Sequence, residues 1–389
     1  MALNTKRRID ELDMIKGIAI IYVFMRHLCE LTGVNTYGPV FFSFFNRYTE
    51  AVMFLFVLLS GYVFKSKGNI HLDIKNKVNQ LLIPYIKFSI FFTITYFIRY
   101  VLFSDMPVGL FIRNTLSNFL AYPNLDIPAL GTGANIMTYA FVPYWYVAEI
   151  FVAFLIFIVI NKIIENKKMY IKIITAIILL CISVVLMYID IRDLLIHTFA
   201  SKASYFTIFM NTIGFAGVLL IGTIMRHYKL LDIEAHSKLF TRILFVVCLI
   251  QLSIQMALYN NQYALQYGKW GGNGLWSVRI TTVTGFTLTY CLTFISYYLK
   301  KISFLKKSLS IIGARTLDIL LLHFGIGELI CMIFGFWYPV YQIDMYPKNS
   351  FAWWHLALVV VLTALCISLF IIAKEKYKNR SRTRTNNIL

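Results

Sequence analysis

The amino-acid sequence predicts an all-α, polytopic membrane protein, a bundle of about ten transmembrane helices. Three observations support this fold class: the composition, the length of the apolar segments and the distribution of basic residues. Of the 389 residues, 59% are hydrophobic and only 14% are charged, and the mean hydropathy is +0.70. A soluble domain has about 45–50% apolar and about 25% charged residues, so the composition excludes a soluble multi-domain enzyme.

The apolar segments are long enough to be membrane spans, because a helix needs about 20 apolar residues to cross about 30 Å of hydrocarbon. The segments that meet this requirement are residues 15–34, 45–64, 81–103, 139–160, 170–190, 204–225, 243–260, 276–299, 310–337 and 352–373. The N-terminus has the basic start of a signal peptide, but its apolar stretch continues to Arg26 and His27 without a small-residue cleavage site. We therefore expect a retained first span.

Basic residues alternate between successive loops and predict the orientation. The chain has 37 Lys and Arg against 18 Asp and Glu, a net charge of +19. If the N-terminus is cytoplasmic, each inside segment carries at least four basic residues and each outside loop carries one or two. Cytoplasmic loops of membrane proteins have this excess, so both termini are predicted to be cytoplasmic. The net positive charge is then explained by the basic cytoplasmic loops, which also attract anionic membrane lipid. No nucleic-acid partner is expected.

The domain organisation is predicted to be one membrane domain followed by a tail. Residues 1–373 form the integral membrane domain, and the basic cytoplasmic tail, residues 374–389, is expected to be disordered. The longest loop, residues 104–138, is predicted to be extracytoplasmic and contains a turn-rich run. The six cysteines lie within or at the edge of apolar runs and form no CxxC pair. Neither a disulfide framework nor a zinc site is therefore expected.

Ionisable residues within spans are costly and mark candidate functional sites. In the first span, Lys16 lies at the cytoplasmic end, and His27 follows eleven residues later, about 16 Å deeper and near the membrane centre. Because eleven residues make about three turns, both side chains point to one face. This arrangement suits an anionic cofactor that enters from the cytoplasm and reacts at depth. Alternatively, Lys16 only extends to the interface and His27 is an inert hydrogen-bonding residue between helices.

Two other spans contain small or acidic residues of interest. In the second span, Ser60 and Gly61 are small enough to allow close helix contact. In the fourth span, Glu149 is predicted at mid-membrane depth. Its carboxyl group is expected to change the pKa of a histidine, to pair with a cation or to stay protonated.

The ninth span contains three ionisable residues. Arg315 and Asp318 are spaced to pair on one face of the helix, and they are either functional or a self-neutralising pair. His323 lies about 12 Å further along the helix than Arg315. It is either a functional group or a packed, hydrogen-bonded core residue.

Five motifs in order resemble those of the membrane acyltransferase 3 family. The run RIDELDMIKGIAIIYVFMRHL resembles the opening signature, in which Arg or Lys is followed after ten residues by His, here Lys16 and His27. FVLLSGYVF resembles the second-span element, LLIPY the start of the third span, and YWYVAEIF the fourth-span element. IGARTLDILLLH resembles the late element, which ends at His323. The ordered set extends over positions 8–323, most of the chain.

The resemblance implies a ten-helix enzyme of the bacterial plasma membrane. Such an enzyme takes an acyl group, most often acetyl, from acyl-CoA on the cytoplasmic side and places it on a hydroxyl of a glycan or lipid-linked glycan. By the same resemblance, His27 would be the catalytic histidine and Lys16 the paired cation near the CoA. We expect His27 to be the general base, because histidine has an unperturbed pKa of about 6.5 and can take the hydroxyl proton near neutral pH. The candidate catalytic residues are His27, Glu149 and His323, the candidate cofactor-binding residues are Lys16, Arg8, Ser60 and Arg315, and no metal is expected.

Another class of protein, a proton-coupled transporter or flippase for glycans or small metabolites, fits the composition and topology equally well. In such a protein His27, Glu149 and His323 would form a proton relay. The ordered motifs, and the lack of a convincing inverted repeat or of paired Gly/Pro-broken helices, favour the enzyme. A glycan polymerase or ligase is expected to carry a larger outer loop with several arginines, whereas residues 104–138 contain only Arg113.

Overall fold

The structure, a computed structural model, describes residues 10–33, 48–97, 107–109, 112, 145–188, 202–260, 274–335 and 353–386. These residues form helices joined by turns, and no strand occurs among them. The all-α prediction is therefore confirmed. Arg8 and most of the predicted outer loop lie outside the described residues.

The helices are labelled in chain order. They are α1 (Asp10–Leu31), α2 (Thr49–Val63), α3 (Ile70–Lys77), α4 (Ile83–Phe97), α5 (Trp145–Ile164), α6 (Met169–Tyr188), α7 (Lys202–His227), α8 (Lys238–Asn260), α9 (Gly274–Leu299), α10 (Ser303–Ala314), α11 (Thr316–Ile333) and α12 (Trp353–Asn386). A π-helical segment, Val78–Leu82, joins α3 to α4.

Every predicted span overlaps a helix of the structure. In the described part of the chain, three helices are long and apolar enough to cross a membrane: Tyr146–Ile164, Thr316–Ile333 and Trp353–Tyr377. Shorter apolar helices are Ala51–Val63, Met169–Ser183 and Thr212–His227. The total of about ten crossings and the side of each terminus stay predictions.

The predicted ninth span is divided into two helices at Arg315, whose backbone has φ −109° and ψ 13°. Before this residue, α10 packs against the first half of α1. A Cβ added to Gly313 would overlap the backbone of Asp13, and one added to Gly17 would overlap the backbone of Leu309. Beyond Arg315, α11 packs against the second half of α1. Because the apolar pattern continues across this residue, the sequence does not reveal the break.

The last helix extends past the predicted membrane domain. α12 continues to Asn386, so residues 374–386 of the tail, which the sequence predicts to be disordered, are helical. Ion pairs attach the first two residues of this extension, Lys374 to Asp318 on α11 and Glu375 to Arg315 at the break before α11. The sequence shows the charge of the tail but not these partners, which lie on another helix. The domain boundary itself stays a prediction.

The helices form two groups that α9 connects. In one group, α2, α5 and α6 pack against α7; in the other, α1 packs against α10 and α11, and α12 packs against α11. α9 contacts both α1 and α2. Glycine allows the close approach of α2 and α7, because a Cβ on Gly61 would overlap the backbone of Leu219. The close helix contact predicted at Gly61 is confirmed.

Candidate active site

Two predicted catalytic residues, His27 and His323, meet where α1 packs against α11. Their ring centroids are 5.1 Å apart and the ring planes are inclined by 51°. The helices approach closely here because Gly327, one turn beyond His323, has no side chain: a Cβ would lie 2.6 Å from Leu28 Cδ2. His323 is fully buried, whereas 18% of the His27 side chain is exposed. His27 is therefore the more exposed ring of the pair.

Two phenylalanine rings pack against the histidine pair. Phe324 lies edge-on to His27 with a centroid distance of 5.6 Å, and Phe24 lies 6.2 Å from His323. These rings limit the freedom of the imidazoles and make the surroundings apolar. Hydrogen bonds are electrostatically stronger in such surroundings than in water.

The backbone of α11 fixes the tautomer of His323. The Nδ1 atom lies 2.9 Å from the carbonyl oxygen of Leu320 and 3.0 Å from that of Ile319. Because a carbonyl oxygen only accepts hydrogen bonds, Nδ1 carries the proton and donates it. The other nitrogen, Nε2, then has a lone pair, and this buried atom has no hydrogen-bond partner among the described residues.

Arg26 fixes the opposite tautomer of His27. Its Nη1 atom lies 3.0 Å from His27 Nδ1 and 3.0 Å from Glu30 Oε2. A guanidinium only donates hydrogen bonds, so His27 Nδ1 is the acceptor and the imidazole carries its proton on Nε2. Glu30 Oε2 is 3.6 Å from the same Nδ1, longer than a hydrogen bond. The two histidines therefore present a donor and an acceptor.

Sequence reasoning missed the roles of Arg26 and Glu30. Arg26 marked only the end of the first apolar stretch, and Glu30 was not a candidate. The signal is nonetheless present, because residues three and four apart on a helix are neighbours. Glu30 lies at these distances from His27 and Arg26.

Lys16 and His27 both lie on α1, and the depth of His27 in the membrane stays a prediction. His27 precedes the last residue, Leu31, by four positions, about 6 Å. At the other end, Lys16 Nζ forms an ion pair of 2.9 Å with Asp13 Oδ1. The charge of Lys16 therefore has a carboxylate partner on its own helix.

Arg315 and Asp318 pair with α12 instead of with each other, so the predicted pair on one helix is wrong. Arg315 contacts Glu375, and Asp318 accepts a hydrogen bond from Lys374 Nζ. The reason is tertiary: α12 packs against α11 and brings oppositely charged side chains to both residues.

The other two predicted site residues lie away from the histidine pair. Glu149 is buried on α5, which packs against α7 and α3. One turn earlier, Tyr146 donates a hydrogen bond of 3.0 Å to the carbonyl oxygen of Met53. Ser60 is partly buried on α2, beside the helix contact at Gly61. The proposed roles of Glu149 and Ser60 stay predictions.

A cation outside the predicted spans, Lys77, packs against aromatic rings. Its Nζ atom lies 3.8 Å from the ring centroid of Phe154 and 5.7 Å from that of Phe64. Burial lowers the pKa of Lys77 to about 8, against an opposing effect of Asp73. Ring faces attract a cation, so Lys77 adds a positive charge at the predicted cytoplasmic side.

Comparison with known proteins gives one family. The model of the acyltransferase 3 family, described as an acyltransferase domain, matches residues 9–373. No curated protein and no solved structure matches the chain. The matched range contains α1 and α11, and therefore both histidines.

Proposed function

The chain belongs to the membrane acyltransferase 3 family, and from this premise we propose that it is an O-acyltransferase of the cell envelope. It takes an acetyl group from acetyl-CoA on the cytoplasmic side and transfers it to a hydroxyl of a cell-surface polysaccharide or a lipid-linked glycan. The observation that carries this proposal is the contact between His27 and His323. Multi-pass insertion in a bacterial plasma membrane belongs to the same proposal.

The chemistry of the transfer explains why a pair of imidazoles supports this function. A thioester is already activated, so the protein must add positioning, a group that takes the hydroxyl proton, and a site that excludes water. Histidine is the side chain that most often performs such a proton transfer. The sequence assigns the role of base to His27, and the structure adds a second imidazole within contact distance.

The candidate cations for acetyl-CoA are compatible with phosphate binding. Lys16 contacts Asp13 and Arg315 contacts Glu375, and both basic side chains are partly exposed. Lysine has three donor hydrogens and arginine five, so each retains N–H groups for a phosphate. Arg8 and the basic inner loops complete the proposed binding surface for the nucleotide.

The function is tested with the purified protein in lipid vesicles, radiolabelled acetyl-CoA and envelope glycan. We expect label on the glycan and about a 10²–10⁴-fold loss of rate in His27→Ala, the size of a general acid–base contribution. His71→Ala is the matched control, because His71 is an exposed histidine on α3. A folded His27→Ala protein with the normal rate contradicts the proposal.

The same assay separates a transferase from a transporter or flippase. A transporter moves glycan across the vesicle membrane without consuming acetyl-CoA. Glycan movement with no transfer of label would therefore favour the transporter over the enzyme.

A further inference from the structure

We propose that the two histidines have different tasks: His323 moves the proton, and His27 stabilises the negative charge that develops on the thioester oxygen. This inference rests on the acyltransferase function proposed above. It also changes the role of His27 from the general base to a hydrogen-bond donor. The two tasks follow from which nitrogen of each ring carries the proton.

His323 is the imidazole with an available lone pair. Its Nδ1–H is held by the carbonyl oxygens of Ile319 and Leu320, which belong to the same helix and cannot turn away while α11 is intact. Nε2 is therefore kept as the acceptor. Most buried polar atoms have a hydrogen-bond partner, and this one has none among the described residues. The hydroxyl of an acyl acceptor is a donor that would satisfy it.

His27 is the imidazole with an available N–H. Arg26 donates to its Nδ1, and Glu30 holds Arg26 in place through an ion pair of 3.0 Å. The lone pair of His27 is thus occupied, and Nε2–H remains for a ligand. A neutral histidine with this arrangement donates a hydrogen bond to a substrate oxygen, as in triosephosphate isomerase.

The reaction balances with one proton in motion. The acceptor hydroxyl donates to His323 Nε2, and its proton passes to that nitrogen as the oxygen bonds to the thioester carbon. His27 Nε2–H donates a hydrogen bond to the carbonyl oxygen, which becomes negative in the tetrahedral intermediate. The carbon–sulfur bond then breaks, the electron pair leaves with sulfur, and His323 returns its proton to the thiolate. The products are the ester and free CoA, and both histidines regain their starting tautomers.

Glutamine substitutions distinguish the two tasks. A glutamine amide donates a hydrogen bond but does not act as a base. We therefore expect His27→Gln to retain activity well above His27→Ala, because loss of one oxyanion donor costs about 10²–10³-fold in rate. We expect His323→Gln to be as impaired as His323→Ala, by about 10²–10⁴-fold. The reverse pattern overturns the inference and restores His27 as the base.

A second measurement on the unmodified protein does not depend on whether the variants fold. Nitrogen NMR of ¹⁵N-histidine-labelled protein in lipid nanodiscs reports which ring nitrogen carries the proton. We expect His323 with the proton on Nδ1 and His27 with the proton on Nε2. His27 protonated on Nδ1 would overturn the inference while leaving the acyltransferase function intact. An unmodified protein that transfers no acetyl group overturns the proposed function, and the assigned reaction with it.

Discussion

At the start of α11, Arg315 and Asp318 each pair with a charged residue of α12. By contrast, the buried Nε2 of His323, about two turns further along, has no hydrogen-bond partner within the described parts of the chain. The same contrast exists on α1. Lys16 pairs with Asp13 near one end, while His27 near the other end keeps an N–H for a ligand. On both helices, the charged residues near one end form ion pairs. Near the other end, imidazole nitrogens remain available, on α1 beside the Arg26–Glu30 ion pair.

The difference separates polar groups that stabilise the fold from those to which we assign a chemical role in the proposal. An ion pair at a partly exposed helix end contributes up to about 1 kcal/mol. A buried acceptor without a partner instead costs about 1–3 kcal/mol. Strain or lost hydrogen bonding of this kind is typical of functional sites. We therefore attribute binding and catalysis to the histidine region and attachment of α12 to the ion-paired region, and three substitutions test this comparison.

The largest effect is expected from separating the two histidines. In Gly327→Leu the new side chain would displace Leu28 and push α11 from α1, because even a Cβ comes within 2.6 Å of that residue. A displacement of about 1 Å at a reacting centre costs about 10²-fold in rate, and overpacking costs about 1–3 kcal/mol of stability. Acetyl transfer and thermal unfolding measure the two effects. Gly109→Leu is the control, since a Cβ at Gly109 meets open space; equal losses in both variants would contradict the assigned helix contact.

A smaller effect is expected from removing the side chain that donates a hydrogen bond to His27 Nδ1. In Arg26→Met the donor to Nδ1 is lost, and Glu30, already 3.6 Å away, can accept a hydrogen bond from a protonated Nδ1. We expect the proton of His27 to move to Nδ1, which nitrogen NMR detects, and the rate to fall by about tenfold or more, since one hydrogen bond to a charged group contributes about 1.5–3 kcal/mol. Arg26→Lys, which keeps a donor-only cation, should restore much of the rate. An unchanged tautomer in Arg26→Met would show that Arg26 does not control His27.

The smallest effect is expected in the ion-paired region. Asp318→Asn removes the partner of Lys374, and a partly exposed pair of this kind contributes up to about 1 kcal/mol. We expect a small decrease in thermal stability and an unchanged rate of acetyl transfer. A double-mutant cycle with Lys374→Met isolates the pair energy. If Asp318→Asn abolished transfer without unfolding the protein, the division between the two regions would be wrong.

The sequence predicted much of the helical architecture and only part of the site. Long apolar runs predicted most of the helices, because burial of the backbone in an apolar medium requires internal hydrogen bonds. The short polar helix α3 lies outside the predicted spans, and α10 and α11 were predicted as a single span. Gly61 was correctly predicted as a close contact, since only a small residue lets two backbones approach. The pairing of Arg315 with Asp318 was wrong because helical spacing shows which residues can meet on one helix but not what a neighbouring helix brings to them.

The sequence by itself determined the helical class, the family and the identity of His27 and His323 as candidates, because these follow from composition and from motifs along one chain. Only the tertiary structure decided that the two rings touch, that α10 and α11 separate at Arg315, and that Arg26 and Glu30 belong to the site. It also decided which groups surround each ring nitrogen, and a tautomer depends on these donors and acceptors. Those partners are set by packing, which no pattern along the chain contains.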